Sequence, residues 1–246
     1  MTEPITRAML LAAGQGTRLR PLTDHQPKPM LPVGGRPLIE HTVLQLARYG
    51  VREISINLHH RPEVVEQYFG NGSRYGLHIE YSFEPQLLGT AGAVKKLESL
   101  FRGAPFFLIY GDNLTTCHLD RLVSLHRAKA GIATIALFWK DDVSPHSAVE
   151  LQLDARITRF VEKPKPEEAP SHWISAGVNV LEPQVLDRIP VNRPSDFGYD
   201  IFPLLAAQGE KLYGYCMSQE EGLWWIDTPE HYWRICDLWK GGFPTQ

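Results

Sequence analysis

The sequence predicts an α/β fold, and three observations point to it. Short apolar runs alternate with amphipathic helical stretches from Ala8 to Trp139, the β-α-β-α order of a parallel, doubly wound sheet. The first run, Ala8 to Ala12, is apolar throughout and leads into Gly14, as expected of a strand buried on both faces. The composition is ordinary for a globular protein, with 43% hydrophobic and 22% charged residues among 246. A chain of this length can bury a large core, and one domain over 1–246 is expected rather than two small ones.

The elements follow in order. After the first strand, Gly14 to Arg36 is rich in glycine, proline and charge, and a loop this long in a compact domain is usually functional. Leu38 to Tyr49 reads as a helix, because Leu38, Ile39, Thr42, Leu46 and Tyr49 recur at helical spacing between Pro37 and Gly50. Glu53 to Asn57 is the next strand, Pro62 to Phe69 a helix closed by Gly70, and His78 to Ser82 a third strand. A loop from Glu84 enters a helix running from Gly89-Thr90 to Leu100, and the apolar strand Phe106 to Tyr110 ends in Gly111-Asp112-Asn113. Leu119 to Lys129 is helical and Thr134 to Trp139 a strand.

The pattern then becomes α+β. Ala148 to Leu153 and Arg156 to Val161 form a hairpin across Asp154-Ala155, and Pro164 to Pro170 is a loop rich in Pro, Glu and Lys. Trp173 to Leu181 is a strand, Pro183 to Ile189 a short helix, and Tyr199 to Gln208 a helix. Strands Leu212 to Met217 and Leu223 to Ile226 precede a closing helix, Thr228 to Trp239, capped by Thr228 or Asp227.

The long glycine loop excludes two familiar phosphate-binding motifs. A dinucleotide fingerprint needs a third glycine where this chain has Leu19, and it needs a helix to start at once. A Walker loop needs Gly-Lys-Ser/Thr, which is missing. What remains is a Gly14-Gln15-Gly16 turn whose backbone N–H groups can approach an anion, with Arg18 and Lys28 as fixed cations. That is chemistry for a polyphosphate. Asp112 closes a buried strand, where ligands bind in open α/β sheets.

Leu11-Ala12-Ala13-Gly14-Gln15-Gly16-Thr17-Arg18-Leu19-Arg20-Pro21-Leu22-Thr23 and Pro27-Lys28-Pro29-Met30-Leu31-Pro32-Val33 resemble the signature of sugar-1-phosphate nucleotidyltransferases, the NDP-sugar pyrophosphorylases. Further matching segments follow in order: Leu88 to Ala93, Gly111-Asp112, Phe160 to Pro164, Ser175 to Val178 and Trp225 to Glu230. The resemblance extends over essentially the whole chain and is greatest to short mannose-1-phosphate or heptose-1-phosphate guanylyltransferases. It implies a Rossmann-like three-layer mixed sheet of the nucleotide-diphospho-sugar transferase type. A nucleotide-binding half would span about 1–140 and a sugar-phosphate-binding half about 141–246. No hexapeptide array is present, so no C-terminal β-helix is expected.

The resemblance also implies roles. Ala12, Ala13, Gly14, Gly16, Thr17 and Arg18 would wrap the triphosphate, with Arg18 on the leaving pyrophosphate and Lys28 on the α-phosphate. Asp112 and Asp227 would hold Mg2+ together with phosphate oxygens and water, although Asp227 reads equally as a helix N-cap. Gly89 and Thr90 would approach base and ribose; Glu84 is either an acceptor for guanine or a surface residue. Glu162 would hold sugar hydroxyls and Lys163 the sugar phosphate, with Ser175 and Gly177 beside them. Two departures bear on the sugar: Ser175 stands where many relatives carry Asn, and His146-Ser147-Ala148 where relatives often have Tyr-Gly. Asn113, Asn179 and His146 are the polar residues available to compensate. The implied partners are a nucleoside triphosphate, with GTP preferred over UTP, dTTP or CTP, and mannose or heptose 1-phosphate in preference to glucose 1-phosphate or another acceptor. A catalytically silent binding homologue is the alternative of another class, disfavoured because Arg18, Lys28, Asp112, Lys163 and Asp227 are all present.

Other classes lack support. The net charge is −3 with no basic face in the sequence, so nucleic-acid binding has no electrostatic basis. Met1 to Arg7 has no apolar core of a signal peptide, and no apolar run approaches the ~18 residues of a membrane span. Cys117, Cys216 and Cys236 are widely separated and form no C-x-x-C pair, which fits reduced thiols in a cytoplasmic protein. His59-His60 reads as loop rather than metal site, since neighbours on a strand point to opposite faces. Trp224, Trp225, Trp233 and Trp239 read as packing of the closing helix, with a homodimer surface as the other use.

Overall fold

The computed structural model describes residues 4–240. They separate into two compact units, one comprising the chain up to Leu87, Tyr110–Thr115 and the segment from Leu223 on, the other Leu88–Ile109 and Thr116–Gly222. These limits differ from the expected division near residue 140, because the segment after Gly222 packs into the first unit. There Leu19, Leu31, Val33 and Leu38 share a core with Leu114, Ile226, Tyr232, Ile235 and Trp239.

β1 (Arg7–Leu11) is buried from Ala8 onward. The loop after it is more ordered than its composition suggests, with 3-10 turns at Thr17–Leu19 and Lys28–Met30 and a two-residue ladder of β2 (Pro32–Val33) and β3 (Arg36–Pro37). α1 (Leu38–Tyr49) ends at Gly50, followed by β4 (Glu53–Leu58), α2 (Pro62–Phe69) and β5 (His78–Phe83). α3 (Gly89–Lys96) and α4 (Glu98–Phe101) replace the single helix expected there. β6 (Phe106–Tyr110), β7 (Asn113–Thr115), α5 (Leu119–Lys129) and β8 (Ala133–Trp139) follow. The hairpin is β9 (Ser147–Leu151) with β10 (Ile157–Glu162), and β11 (Trp173–Leu181) is the longest strand. The short helix at Pro183–Arg188 is 3-10, and a π-helical turn at Phe197–Ile201 leads into α6 (Phe202–Ala207). β12 (Leu212–Cys216), β13 (Leu223–Trp225) and α7 (Pro229–Leu238) complete the chain.

In the first unit β1, β4 and β5 are parallel, with β4 in the middle and Leu11 opposite Asn57 and Asn57 opposite Ser82. β13 and β7 form a separate antiparallel pair. In the second unit β11 runs antiparallel to β6, β8 and β9, while β12 is parallel to β8. The sheet is therefore mixed, as the resemblance implied. The reason is β11, whose nine-residue length lets it pair antiparallel with three other strands. Among the described residues no β-helix follows α7, and no helix is long and apolar enough to cross a membrane.

Candidate active site

The first unit places the glycine loop at the carboxyl end of β1. Gly16 has φ 62° and ψ 26°, the left-handed region where a side chain is strained. A Cβ there would lie 3.0 Å from Thr23 Cγ2 and 3.1 Å from Lys28 Cβ. Glycine therefore lets two later parts of the loop close on the turn. The Thr23 hydroxyl and the Leu19 N–H both donate to the Gly16 carbonyl at 2.9 Å. Leu19 plugs the core, while Gly14, Thr17 and Arg18 remain exposed.

Lys28 is the centre of this arrangement. Only 8% of its side chain is exposed. Its Nζ donates to Asp112 Oδ2 at 2.8 Å and to Asp227 Oδ1 at 3.4 Å, and Arg18 Nη2 donates to the same Asp227 oxygen at 3.1 Å. A buried ammonium is costly unless paired, and here it is paired twice. Lys28 is therefore not a solvated loop lysine. The flanking Pro27 and Pro29 fix its backbone in the 3-10 turn. Asp112 is set by the Gly111 N–H, which donates to the Leu11 carbonyl at 2.9 Å. Asp227 lies just past β13, and Asn113 begins β7 opposite Trp225. The cap of α7 is Thr228, whose Oγ1 accepts from the His231 N–H at 3.3 Å. Asp227, read equally as a cap from sequence, directs its carboxylate to Arg18 and Lys28 instead.

Two aspartates meeting at one cation form a hard oxygen donor set. It fits a divalent ion that takes its remaining ligands from phosphate and water. Among the described residues no cluster of three or more His, Cys, Asp or Glu could hold a metal by itself.

Glu84 is not the surface residue that was one of its two readings. It is 1% exposed, and its Oε1 accepts from Asn57 Nδ2 at 2.9 Å. Asn57 Oδ1 in turn accepts from the Ala12 N–H at 2.8 Å. The carboxylate is thus buried and held by Asn57 rather than exposed to solvent. Ala12 and Ala13 are buried where the loop leaves β1. His59 and His60 support the same loops, bonding the carbonyls of Glu84 and Thr23 at 2.8 and 3.3 Å. A carbonyl only accepts, so these ring nitrogens carry the protons.

The second unit holds the other expected residues. Gly89 has φ 73°, and a Cβ on it would collide with the Ser195 carbonyl. That carbonyl accepts from the N–H groups of Ala91 and Gly92, both at 3.0 Å. The Thr90 hydroxyl donates to Asp196 Oδ2 and accepts from the Phe197 N–H, each at 2.8 Å. The side chain of Thr90 thus fastens residues 195–197.

The strand registers put Glu162, Ser147 and Ser175 in one row across β10, β9 and β11. Ser147 Oγ donates to Glu162 Oε2, and burial raises the Glu162 carboxyl above the ordinary carboxylate range. Lys163 follows with φ 47°, a strained value for a residue with a side chain. Its exposed Nζ lies 5.8 Å from the Tyr199 ring centre, and its N–H donates to the His146 carbonyl at 3.1 Å. His146 itself is buried, with Nε2 accepting from Lys140 Nζ at 2.8 Å. Gly177 sits at an irregularity between Ser175 and Asn179 that interrupts the pairing with β8. Asn179, expected near the sugar, is 1% exposed and donates to the Leu108 carbonyl at 3.1 Å inside the sheet.

Three participants escaped the sequence reading. Ser147 was noted only as a departure, although its serine on a hairpin strand opposite Glu162 is a usable signal. Asn57 is a buried amide between the apolar Ile56 and Leu58 of β4. Residues 195–200 carry the Asx-type turn in which Asp196 Oδ1 accepts from Gly198 N–H at 2.8 Å, a turn that Ser-Asp-Phe-Gly could have suggested.

Comparison with known proteins agrees with this geometry. The family model described as nucleotidyl transferase matches residues 7–237. The chain belongs to the nucleotidyl transferase family. A UTP–glucose-1-phosphate uridylyltransferase of Synechocystis is 37% identical over 95% of this chain and 62% of the relative. A mannose-1-phosphate guanylyltransferase of Mycobacterium tuberculosis is 36% identical over 97% and 66%, and a mannose-1-phosphate guanyltransferase of Saccharomyces cerevisiae 35% over 89% and 60%. This nucleotidyl transferase chain thus spans about 60–66% of the length of these relatives. Among solved structures, UDP-glucose pyrophosphorylase with UDP-glucose superposes with a TM-score of 0.82 at 23% identity, covering 96% of this chain and 99% of that one. HddC from Yersinia pseudotuberculosis with GMP-PN gives 0.77 at 21%, covering 96% and 100%. These two likenesses show the nucleotidyl transferase fold, with its mixed sheet.

Proposed function

We propose that the chain transfers a nucleotidyl group from a nucleoside triphosphate to a sugar 1-phosphate. An oxygen of the sugar phosphate attacks the α-phosphorus, the bond to the bridging oxygen of the β-phosphate breaks, and pyrophosphate leaves. The observation that carries this reading is the buried Lys28 ammonium held on Asp112 and Asp227 beside Arg18. Such a reaction asks little covalent help of a protein; it asks for position and for neutral charge.

Ala12, Ala13, Gly14, Gly16 and Thr17 line the triphosphate, Arg18 meets the departing pyrophosphate, and Lys28 meets the α-phosphate. Asp112 and Asp227 would hold Mg2+, which when bound supplies charge neutralisation at the phosphates. Gly89 and Thr90 meet the nucleoside through their backbone. Glu162 accepts from sugar hydroxyls, and Lys163 offsets the charge of the sugar phosphate.

GTP with mannose or heptose 1-phosphate is the preferred pair, and the mycobacterial and yeast relatives support its mannose form. UTP with glucose 1-phosphate is the second reading, favoured by the Synechocystis relative. The test is pyrophosphate release with Mg2+, each of GTP, UTP, dTTP and CTP, and mannose, heptose and glucose 1-phosphates. The expected result is fastest release with GTP and mannose or heptose 1-phosphate. A preference for UTP with glucose 1-phosphate selects the second reading. Nucleotide binding without turnover of any pair overturns both in favour of a silent homologue.

A further inference from the structure

The carboxyl end of β4 carries a polar group that the proposed chemistry does not use. Asn57 is 4% exposed, on the middle strand of β1, β4 and β5. Its two amide atoms have different partners. Oδ1 accepts from the Ala12 N–H at 2.8 Å, and Nδ2 donates to Glu84 Oε1 at 2.9 Å. The Ala12 N–H can only donate, so Oδ1 faces it and the amide has one orientation. Beyond it, His59 Nδ1 donates to the Glu84 carbonyl and His60 Nε2 to the Thr23 carbonyl, and Thr23 grips the Gly16 carbonyl. The end of β4 therefore fastens the glycine loop at its start and at its return.

We propose that Asn57 is a positioning residue for nucleotide binding: through Ala12 and Glu84 it sets the backbone from which the glycine loop departs. The proposal rests on the reading of that loop as the triphosphate site. Glu84 is then the fixed end of a relay and not a reader of the base. An N–H that opens a phosphate-binding loop must point the same way in every molecule, and a buried carboxylate acting through one amide achieves this.

The chemistry makes a sharp test, because the donor and acceptor roles can be exchanged. Asn57→Asp sets two carboxylates face to face, whereas Asn57→Asp with Glu84→Gln restores a donor opposite an acceptor and leaves Ala12 its partner. Glu84→Gln alone keeps an acceptor for Asn57. Binding of GTP and UTP would be measured calorimetrically without sugar phosphate, alongside KM for both substrates and melting temperature.

The expected results are specific. N57D weakens nucleotide binding about tenfold or more, as loss of a buried hydrogen bond to a charged group does. Its binding recovers as pH falls, because one proton shared by two facing carboxylates restores a donor opposite an acceptor. The double variant and E84Q stay within roughly threefold of the native protein. KM for the sugar phosphate changes little in any of them. Should N57D fail to fold at neutral pH, the double variant and E84Q carry the test, since both keep a complete relay. Native-like binding by N57D at all pH values overturns the proposal, and so does a double variant that binds nucleotide no better than N57D or well below the native protein. An equal loss for both substrates assigns Asn57 to general stability and also overturns it. Inactive native protein that still binds nucleotide refutes the transferase reading but leaves the relay testable by binding.

Discussion

Glu162 carries two opposed demands at one atom. Its carboxyl is held above the ordinary range by burial, with Ser147 as hydrogen-bond donor. A raised folded-state value means that the ionised form costs stability at neutral pH, a cost that disappears as pH falls through that value. In the proposed reaction the ionised form is also the one that would accept from a sugar hydroxyl. Glu162→Gln is therefore expected to keep or raise the melting temperature while lowering kcat/KM for the sugar phosphate by about tenfold or more. The native acid limb of that profile should lie above the usual glutamate range and be absent from the variant. Calorimetry and steady-state rates from about pH 5 to 8 check both. A variant that melts lower and retains the native profile contradicts this account.

At the scale of elements, the glycine loop is a folded object built on few contacts. Gly16 closes on Thr23 and Lys28 only because it lacks a Cβ. Gly16→Ala combines about 1 kcal/mol of left-handed strain with a push on Lys28. It should lower the melting temperature by about 2–4 °C per kcal/mol and raise KM for the triphosphate more than for the sugar phosphate. Equal effects on the two substrates would show that the loop does not serve the nucleotide. Most helices and strands were legible in the sequence because their periodicity and stops are local: Leu38–Tyr49 ends at Gly50 and Phe106–Tyr110 at Gly111 as expected. What escaped is non-local. The antiparallel insertion of β11 depends on partners far away in sequence, and no local pattern encodes it. The same limit applied to the site. Arg18, Lys28, Asp112 and Asp227 could be named from motifs, but not their convergence. Glu84 could not be assigned, because its partner Asn57 lies 27 positions earlier.

The whole molecule consists of two compact units that hold different residues of the proposed reaction. The first contains the glycine loop, Lys28, Asp112 and Asp227; the second contains Gly89, Thr90, Glu162, Lys163 and Ser175. The chain returns to the first unit after Gly222, which brings Asp227 to Lys28 across 199 positions of sequence. Lys28 is the group whose loss the proposed transfer tolerates least. Pyrophosphate release by the native protein and by Lys28→Ala, with Mg2+ and the best substrate pair, tests this most directly. Measurable native turnover is expected, with a fall of about 10²–10³-fold in kcat for a variant that still folds. No release by the native protein with any pair, or a folded variant working at the native rate, would contradict it.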